Sequence, residues 1–168
     1  MPTILNWYYA RDMNLPQSGA NIPNLTVASG NGWTEEVIQL DGGSVDNEFS
    51  LEADFSQYVS GNITIYPVGW CNATTGNMRF GGQVLSHAVN AGTSYLTHAF
   101  ATATIATVAA IAVANDLIQG TLTLSSNLDS ITSAKSTRIK MYRNASDTTN
   151  DNLAVVFNLF KVGIAYDI

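Results

Sequence analysis

Alternation of apolar and polar residues runs through most of the chain and predicts strands. Phe49, Leu51, Ala53 and Phe55 fall on one parity, and Ser50, Glu52, Asp54 and Ser56 on the other. A period of two with that polarity describes a half-buried antiparallel strand, apolar side to the core and acidic side to water. Ile63 and Ile65 open a second strand that continues to Trp70. After the turn Ala73-Thr74-Thr75-Gly76-Asn77, a third runs from Asn77 to Val84. Val37 to Leu40 predicts a short strand ended by Asp41-Gly42-Gly43, residue types that turns favour. Tyr95 to Val113 predicts two more strands, and Thr121-Leu122-Thr123-Leu124 alternates again. Towards the C-terminus, Ile139 and Met141 oppose Arg138, Lys140 and Tyr142. After the polar loop Asn144 to Asn152, Phe160, Val162, Ile164, Tyr166 and Ile168 oppose Lys161, Gly163, Ala165 and Asp167. Many short strands without βαβ spacing predict an all-β fold, an antiparallel jelly-roll-like β-sandwich.

Residues 1–32 break this grammar and predict an extended N-terminal arm, with the sandwich domain over 33–168. Trp7, Tyr8 and Tyr9 form an aromatic knot, and Pro16, Gly19, Pro23 and Gly30 interrupt any regular element after it. An arm with an aromatic anchor and no core of its own must bury it on its own domain or on a neighbouring subunit. Trp7, Tyr8, Tyr9 and Arg11 are therefore the candidate contact residues of the arm.

Composition narrows the function. The 168 residues suit one domain, and only 12% are charged, about half the usual fraction. That scarcity predicts a surface partly covered by other subunits. Residues 1–78 hold eight acidic residues and one basic, a balance of −7; residues 79–168 hold six basic and five acidic, a balance of +1. An acidic half argues against nucleic-acid binding, which needs a basic footprint. The one positive run, Lys135, Arg138, Lys140 and Arg143, reads as a solvated or subunit-contacting strand face. Met1 to Met13, broken by Pro2, predicts no signal peptide. The uncharged run Ala99 to Ala114 is shorter than the roughly 20 apolar residues a bilayer span needs, and it contains Thr102, Thr104 and Thr107. It reads as one or two strands crossing between subunits or sheets, with an Ala-rich helix as the alternative, and without membrane association.

Candidate chemistry is sparse. The single cysteine, Cys71, excludes an internal disulfide and a cysteine-based zinc site. His87 and His98 lack neighbours in metal-ligand spacing, and no Gly-x-Ser-x-Gly elbow accompanies the serines. Glu35-Glu36 and the group Glu48, Glu52, Asp54 are the carboxylate pairs available for glycoside hydrolysis. The second group alternates on the outer face of a strand, where solvated acids need no special role. Asp147 to Asn152 carries oxygen ligands at calcium-loop density but lacks the central glycine and terminal glutamate. Sequons at Asn24, Asn62, Asn72 and Asn144 reflect abundance of Asn and Thr. The expectation is a chain with no cofactor, no metal and no enzymatic activity.

Two segments carry a resemblance. The first is Asp46-Asn47-Glu48-Phe49, leading through Gly61-Asn62-Ile63-Thr64-Ile65-Tyr66 to Trp70, then Ala73-Thr74-Thr75-Gly76-Asn77-Met78-Arg79-Phe80. The second is Lys140-Met141-Tyr142-Arg143-Asn144-Ala145-Ser146-Asp147-Thr148, ending with Leu159 to Tyr166. In this order, over residues 33–168, they resemble the β-sandwich domains of tailed-bacteriophage virion proteins, of the capsid decoration (cement) and fibre-tip type. Where that family often has Trp after the Gly-Asn turn, this chain has Phe80, which keeps an aromatic core plug. The resemblance implies a homotrimer on the virion surface, bound to the major capsid protein, with no catalytic residues. The alternative it leaves open is a fibre-tip or head-surface module gripping a host glycan. For that, Trp33 and Tyr95 are the aromatic candidates.

Overall fold

The computed structural model describes residues 3–16, 22–30, 32–43 and 45–168, and of Trp33 the backbone alone. Gly19, one of the expected arm breakers, and the side chain of Trp33 lie outside the described residues. Eleven strands form among the rest: β1 (Thr3–Tyr9), β2 (Asn24–Gly30), β3 (Trp33–Leu40), β4 (Asn47–Ala53), β5 (Ile63–Trp70), β6 (Asn77–Ala88), β7 (Thr104–Ala109), β8 (Ile118–Gln119), β9 (Leu122–Leu124), β10 (Lys135–Arg143) and β11 (Phe157–Asp167). They make two antiparallel sheets, as the alternation predicted. The larger runs β2-β3-β11-β5-β8, with β1 beside β11 and β9 beside β5; the smaller runs β4-β10-β6-β7. From β3 to β6 the chain alternates between sheets. The last two strands then insert at the centres, β10 between β4 and β6 and β11 between β3 and β5. That interleaving is the jelly-roll feature.

Each inner face supplies the core the parities foretold. Phe49, Leu51, Ile139, Met141, Met78 and Phe80 of the smaller sheet are fully or nearly fully buried, and so are their counterparts on β3, β5 and β11. Gly82 lies among them because Leu122 of the opposite sheet fills the space where its side chain would be; a Cβ there would stand 2.6 Å from Leu122 Cδ2. At one end, Phe55, Tyr58 and Tyr166 pack ring to ring at 4.9–6.0 Å and close the sandwich with a dry aromatic plug.

Three elements differ from the sequence expectation. The segment expected as an arm supplies strands. β1 pairs with β11 along its whole length, from Thr3↔Asp167 to Tyr9↔Lys161, and β2 forms a hairpin with β3. Ile4 and Tyr8 of β1 pack against the core of their own domain, while Leu5, Trp7 and Tyr9 stay exposed. Tyr95 to Val113 gives one strand, β7, after a 3-10 turn at Tyr95–Thr97. The intervening residues run beside the open edge of β6, with the Ala101 amide donating to Val84 O at 2.8 Å. The third difference is a β-bulge between Leu159 and Lys161. It lets Phe157 and Leu159 face the core, and Val162, Ile164 and Tyr166 face it too, although the two sets have opposite parity. Phe160, expected with the core set, is turned outward. The run tested for a membrane span is covered by β7 and loops; no helix of the described residues is long and apolar enough to cross a bilayer.

Candidate functional site

Adjacent residues on a strand point to opposite faces, so β1 cannot present its three aromatics together. Trp7 and Tyr9 lie on the outer face of the larger sheet, 36% and 38% exposed, beside Leu5 at 46%. Tyr8 turns the other way. It is half-buried, its Oη accepts the Asp54 amide at 2.9 Å, and burial is the main cause that raises its pKa. The expected knot is therefore divided: Trp7, Tyr9 and Arg11 on the surface, Tyr8 in the packing.

The outer face is organised by cross-strand rows. Trp7 lies across from Gly163, which lies across from Tyr66; Tyr9 lies across from Lys161, which lies across from Val68. Gly163 is what lets Trp7 lie flat. A Cβ there would stand 2.8 Å from Trp7 Cζ3 and 3.1 Å from Leu5 Cδ1. Lys161 Nζ sits 4.3 Å from the Trp7 ring centroid and 5.6 Å from that of Phe160. The bulged Phe160 meets Tyr9 edge-on at 5.5 Å, and the Arg11 guanidinium lies 5.9 Å from the Tyr9 ring. Beside this face opens a cleft of about 430 Å³ lined by Tyr9, Arg11, Val27, Glu35, Glu36 and Phe160. The surface is aromatic, edged with cations and acids, and flanked by exposed Leu25 and Val27 of β2.

The resemblance motif around Arg143 has a different job. Arg143 was grouped with an exposed positive run, yet it is fully buried. Its Nη2 and Nε reach Asp151 Oδ1 and Oδ2 at 2.7 and 2.9 Å. Nη1 donates to Val155 O at 2.7 Å and Leu40 O at 3.3 Å, and Nη2 donates to Leu153 O. A guanidinium satisfied on every side can be buried at tolerable cost. Its three run-mates stay nearer the surface. Arg138 pairs with Glu52 at 2.9 Å and Lys140 with Glu48 at 3.5 Å, so the acidic outer face of β4 meets the basic outer face of β10.

The oxygen-rich loop 147–152 is spent on the same brace. Asp147 bonds Arg79 and Asn150, the Asp151 carboxylate also accepts the Arg79 amide at 3.0 Å, and Asn152 Oδ1 accepts the Asn77 amide at 2.7 Å. The Asn150 side chain, with Arg79 assisting, holds the Asp147 carboxyl below its ordinary range. A depressed carboxyl contributes stability that is complete above its unfolded value, near pH 4, and is lost as pH falls through the lower folded value. Asp147→Asn is accordingly expected to flatten the pH dependence of urea unfolding below about pH 4. A profile identical to that of the parent chain would contradict this.

The remaining candidates separate. Glu35 and Glu36 border the aromatic cleft, whereas Glu48, Glu52 and Asp54 lie along β4 and just past its end. Among the described residues no three His, Cys, Asp or Glu side chains gather as a metal-holding group. His87 and His98, unconnected in sequence, are brought together with Asp129. Tyr95 is packed between them and Arg138, its ring 5.5 Å from each of His87 and the guanidinium. The free thiol of Cys71 is buried.

No protein-family model matches the chain, and no curated protein sequence matches it. Solved structures align with most of the chain. A carbohydrate-binding module specific for non-crystalline cellulose, CBM28, aligns over 92% of this chain and 85% of its own, with 8% identity and a TM-score of 0.48. A family 11 carbohydrate-binding module from Clostridium thermocellum, in complex with a β-1,3-1,4-mixed-linked tetrasaccharide, aligns over 95% and 87%, with 8% identity and a TM-score of 0.43. A chain from infectious bursal disease virus, Gx strain, aligns over 99% of this chain but 32% of its own, with 10% identity and a TM-score of 0.40.

Proposed function

We propose that the chain is a structural protein of a tailed-phage virion, a trimer seated on the capsid surface that reinforces contacts in the major capsid protein lattice. The observation that carries this reading is the outer face of β1, where Leu5, Trp7 and Tyr9 stand in a row with a third to a half of their surface in water. Such a row is an interaction patch in search of a cover. Burying what remains exposed of each side chain would yield about 0.5–1.5 kcal/mol, a third to a half of the value for full burial, and three copies per trimer would multiply attachment without new chemistry. The resemblance to the phage virion proteins supports the same reading, and its residue Arg143 serves a brace inside the sandwich.

Deleting the first residues would remove a paired strand, so point substitutions are the cleaner test. Leu5→Ser with Tyr9→Ser is expected to leave the urea midpoint within about 0.5 M and to weaken co-sedimentation with capsids lacking the protein by about 100-fold. That figure is two side chains in each of three subunits, at the low end of the range above. Unchanged attachment, or a parent chain that sediments as a monomer at micromolar concentration, would count against the proposal.

The cleft beside Tyr9 favours one second reading. An aromatic ring with Arg11, Glu35 and Glu36 at its border offers a sugar a stacking surface and hydrogen-bond partners. A glycan array separates the two: a module gripping host glycans binds there and loses binding with Tyr9→Ser, whereas a cement protein binds nothing on it.

A further inference from the structure

The smaller sheet also has a cover, and histidines fasten it. Leu85 points to the outer face of β6 yet is only 4% exposed, because the chain between β6 and β7 folds back across it. Tyr95 of that segment lies over Arg138, and Phe100 lies 5.0 Å from Lys140 Nζ. Two contacts fix its far end: the Ala101 amide on Val84 O, and Gln83 Nε2 on Ala101 O at 2.9 Å. The near end is held by His98, whose Nδ1 lies 3.0 Å from His87 Nδ1 and whose Nε2 lies 3.3 Å from Asp129 Oδ2. Asp129 is itself anchored, its Oδ2 accepting the Ser86 amide at 2.6 Å.

We propose that His87, His98 and Asp129 form a proton-operated clasp, which holds segment 88–98 against the smaller sheet near neutral pH and releases it in acid. Two ring nitrogens 3.0 Å apart need one proton between them. The carboxylate requires a proton on His98 Nε2, which leaves His98 Nδ1 as acceptor and His87 Nδ1–H as donor. One added proton goes to His87 Nε2 and leaves that bond intact. A second, taken from solvent, must go to His98 Nδ1, the lone pair already in use. Two N–H groups and two positive charges then face each other, and the contact breaks. The closed state therefore binds fewer protons than the fully protonated open one, so closure weakens in acid.

The surrounding charges do not remove this conflict. Among the described residues Asp129 is the carboxylate bonded to the pair, and Glu52 lines the same recess as His87. From β10, Arg138 faces Tyr95 and is neutralised by Glu52 of β4, and Lys135 Nζ is turned to Ser130 O at 2.7 Å. Lys140 lies further along, at Phe100. Segment 88–98 brings no carboxylate of its own.

Two measurements on the full chain test the clasp. Imidazole ¹⁵N spectra at pH 7.5 are expected to show opposite neutral tautomers, Nδ1–H on His87 and Nε2–H on His98; matching tautomers would overturn the assignment. Amide exchange, corrected for intrinsic rates, is expected to lose at least tenfold protection at the Thr97 and His98 amides, which close the turn at Tyr95–Thr97, between pH 7.5 and 5.0 while Ile139 and Met141 hold. His98→Gln, and separately His87→Gln, should abolish that pH dependence. Its persistence in both variants, or its absence in the parent chain, would overturn the proposal.

Discussion

Arg143→Met is expected to lower the unfolding free energy by about 3–5 kcal/mol, the cost of leaving one member of a buried ion pair behind. Asp151 would keep its carboxylate in a place only 6% exposed, and the carbonyls of Leu40, Leu153 and Val155 would lose their donor. At about 1–3 kcal/mol per molar urea, the midpoint should fall by well over 1 M. Arg143→Lys should cost nearly as much, since an ammonium cannot make the two-pronged bond to Asp151 and reach three carbonyls as well. Adding Asp151→Leu to Arg143→Met should recover part of the loss, because the stranded charge goes but the carbonyls remain. A cost below about 1 kcal/mol for Arg143→Met would mean that the brace does not hold the loop. The loop is tied elsewhere too: Asn152 and Leu153 amides both donate to Asn77 O at 3.0 Å, and the Asn144 amide donates to Arg79 O at 2.7 Å.

That brace was half legible. The alternation that sends Ile139 and Met141 inward sends Arg143 inward as well, since it shares their parity. Grouping it with Lys135, Arg138 and Lys140 by charge overrode the stronger signal. Asp151, eight residues on, gave no sign in sequence that it was the partner, because nothing local requires the loop to double back. The strands themselves were readable wherever one face is apolar and the other polar, as in β4 and β10. β1 was not, because its outer residues Leu5, Trp7 and Tyr9 are as apolar as the inner ones, so no alternation marks it as a strand. For the same reason its surface aromatics were found while the division between Tyr8 and its neighbours was missed. His87 and His98 are eleven residues apart across a turn and a 3-10 element, and Asp129 lies in another loop. Only the fold brings them together.

The bulge in β11 is the element least visible in sequence, and a pair of substitutions reads it directly. Strict alternation back from Val162, Ile164 and Tyr166 would place Phe160 in the core and Phe157 outside. With the extra residue inserted between Leu159 and Lys161, the order reverses. Phe157 is 1% exposed and meets Phe80 edge-on at 5.5 Å. Gly69 makes room for it, since a Cβ there would stand 2.7 Å from Phe157 Cζ. Phe157→Ala is expected to cost about 3–5 kcal/mol, the transfer of the ring plus the cavity left behind. Phe80→Ala should cost a similar amount, and the double variant less than the sum by about 0.5–1.5 kcal/mol. Phe160→Ala, on the half-buried outer side against Tyr9, should cost about 1 kcal/mol or less, yet weaken capsid attachment if the aromatic face is the contact. Urea unfolding of the two single variants decides the register. Equal costs, or a larger cost at Phe160, would mean that the ladder runs without its bulge and that the outer face is built differently.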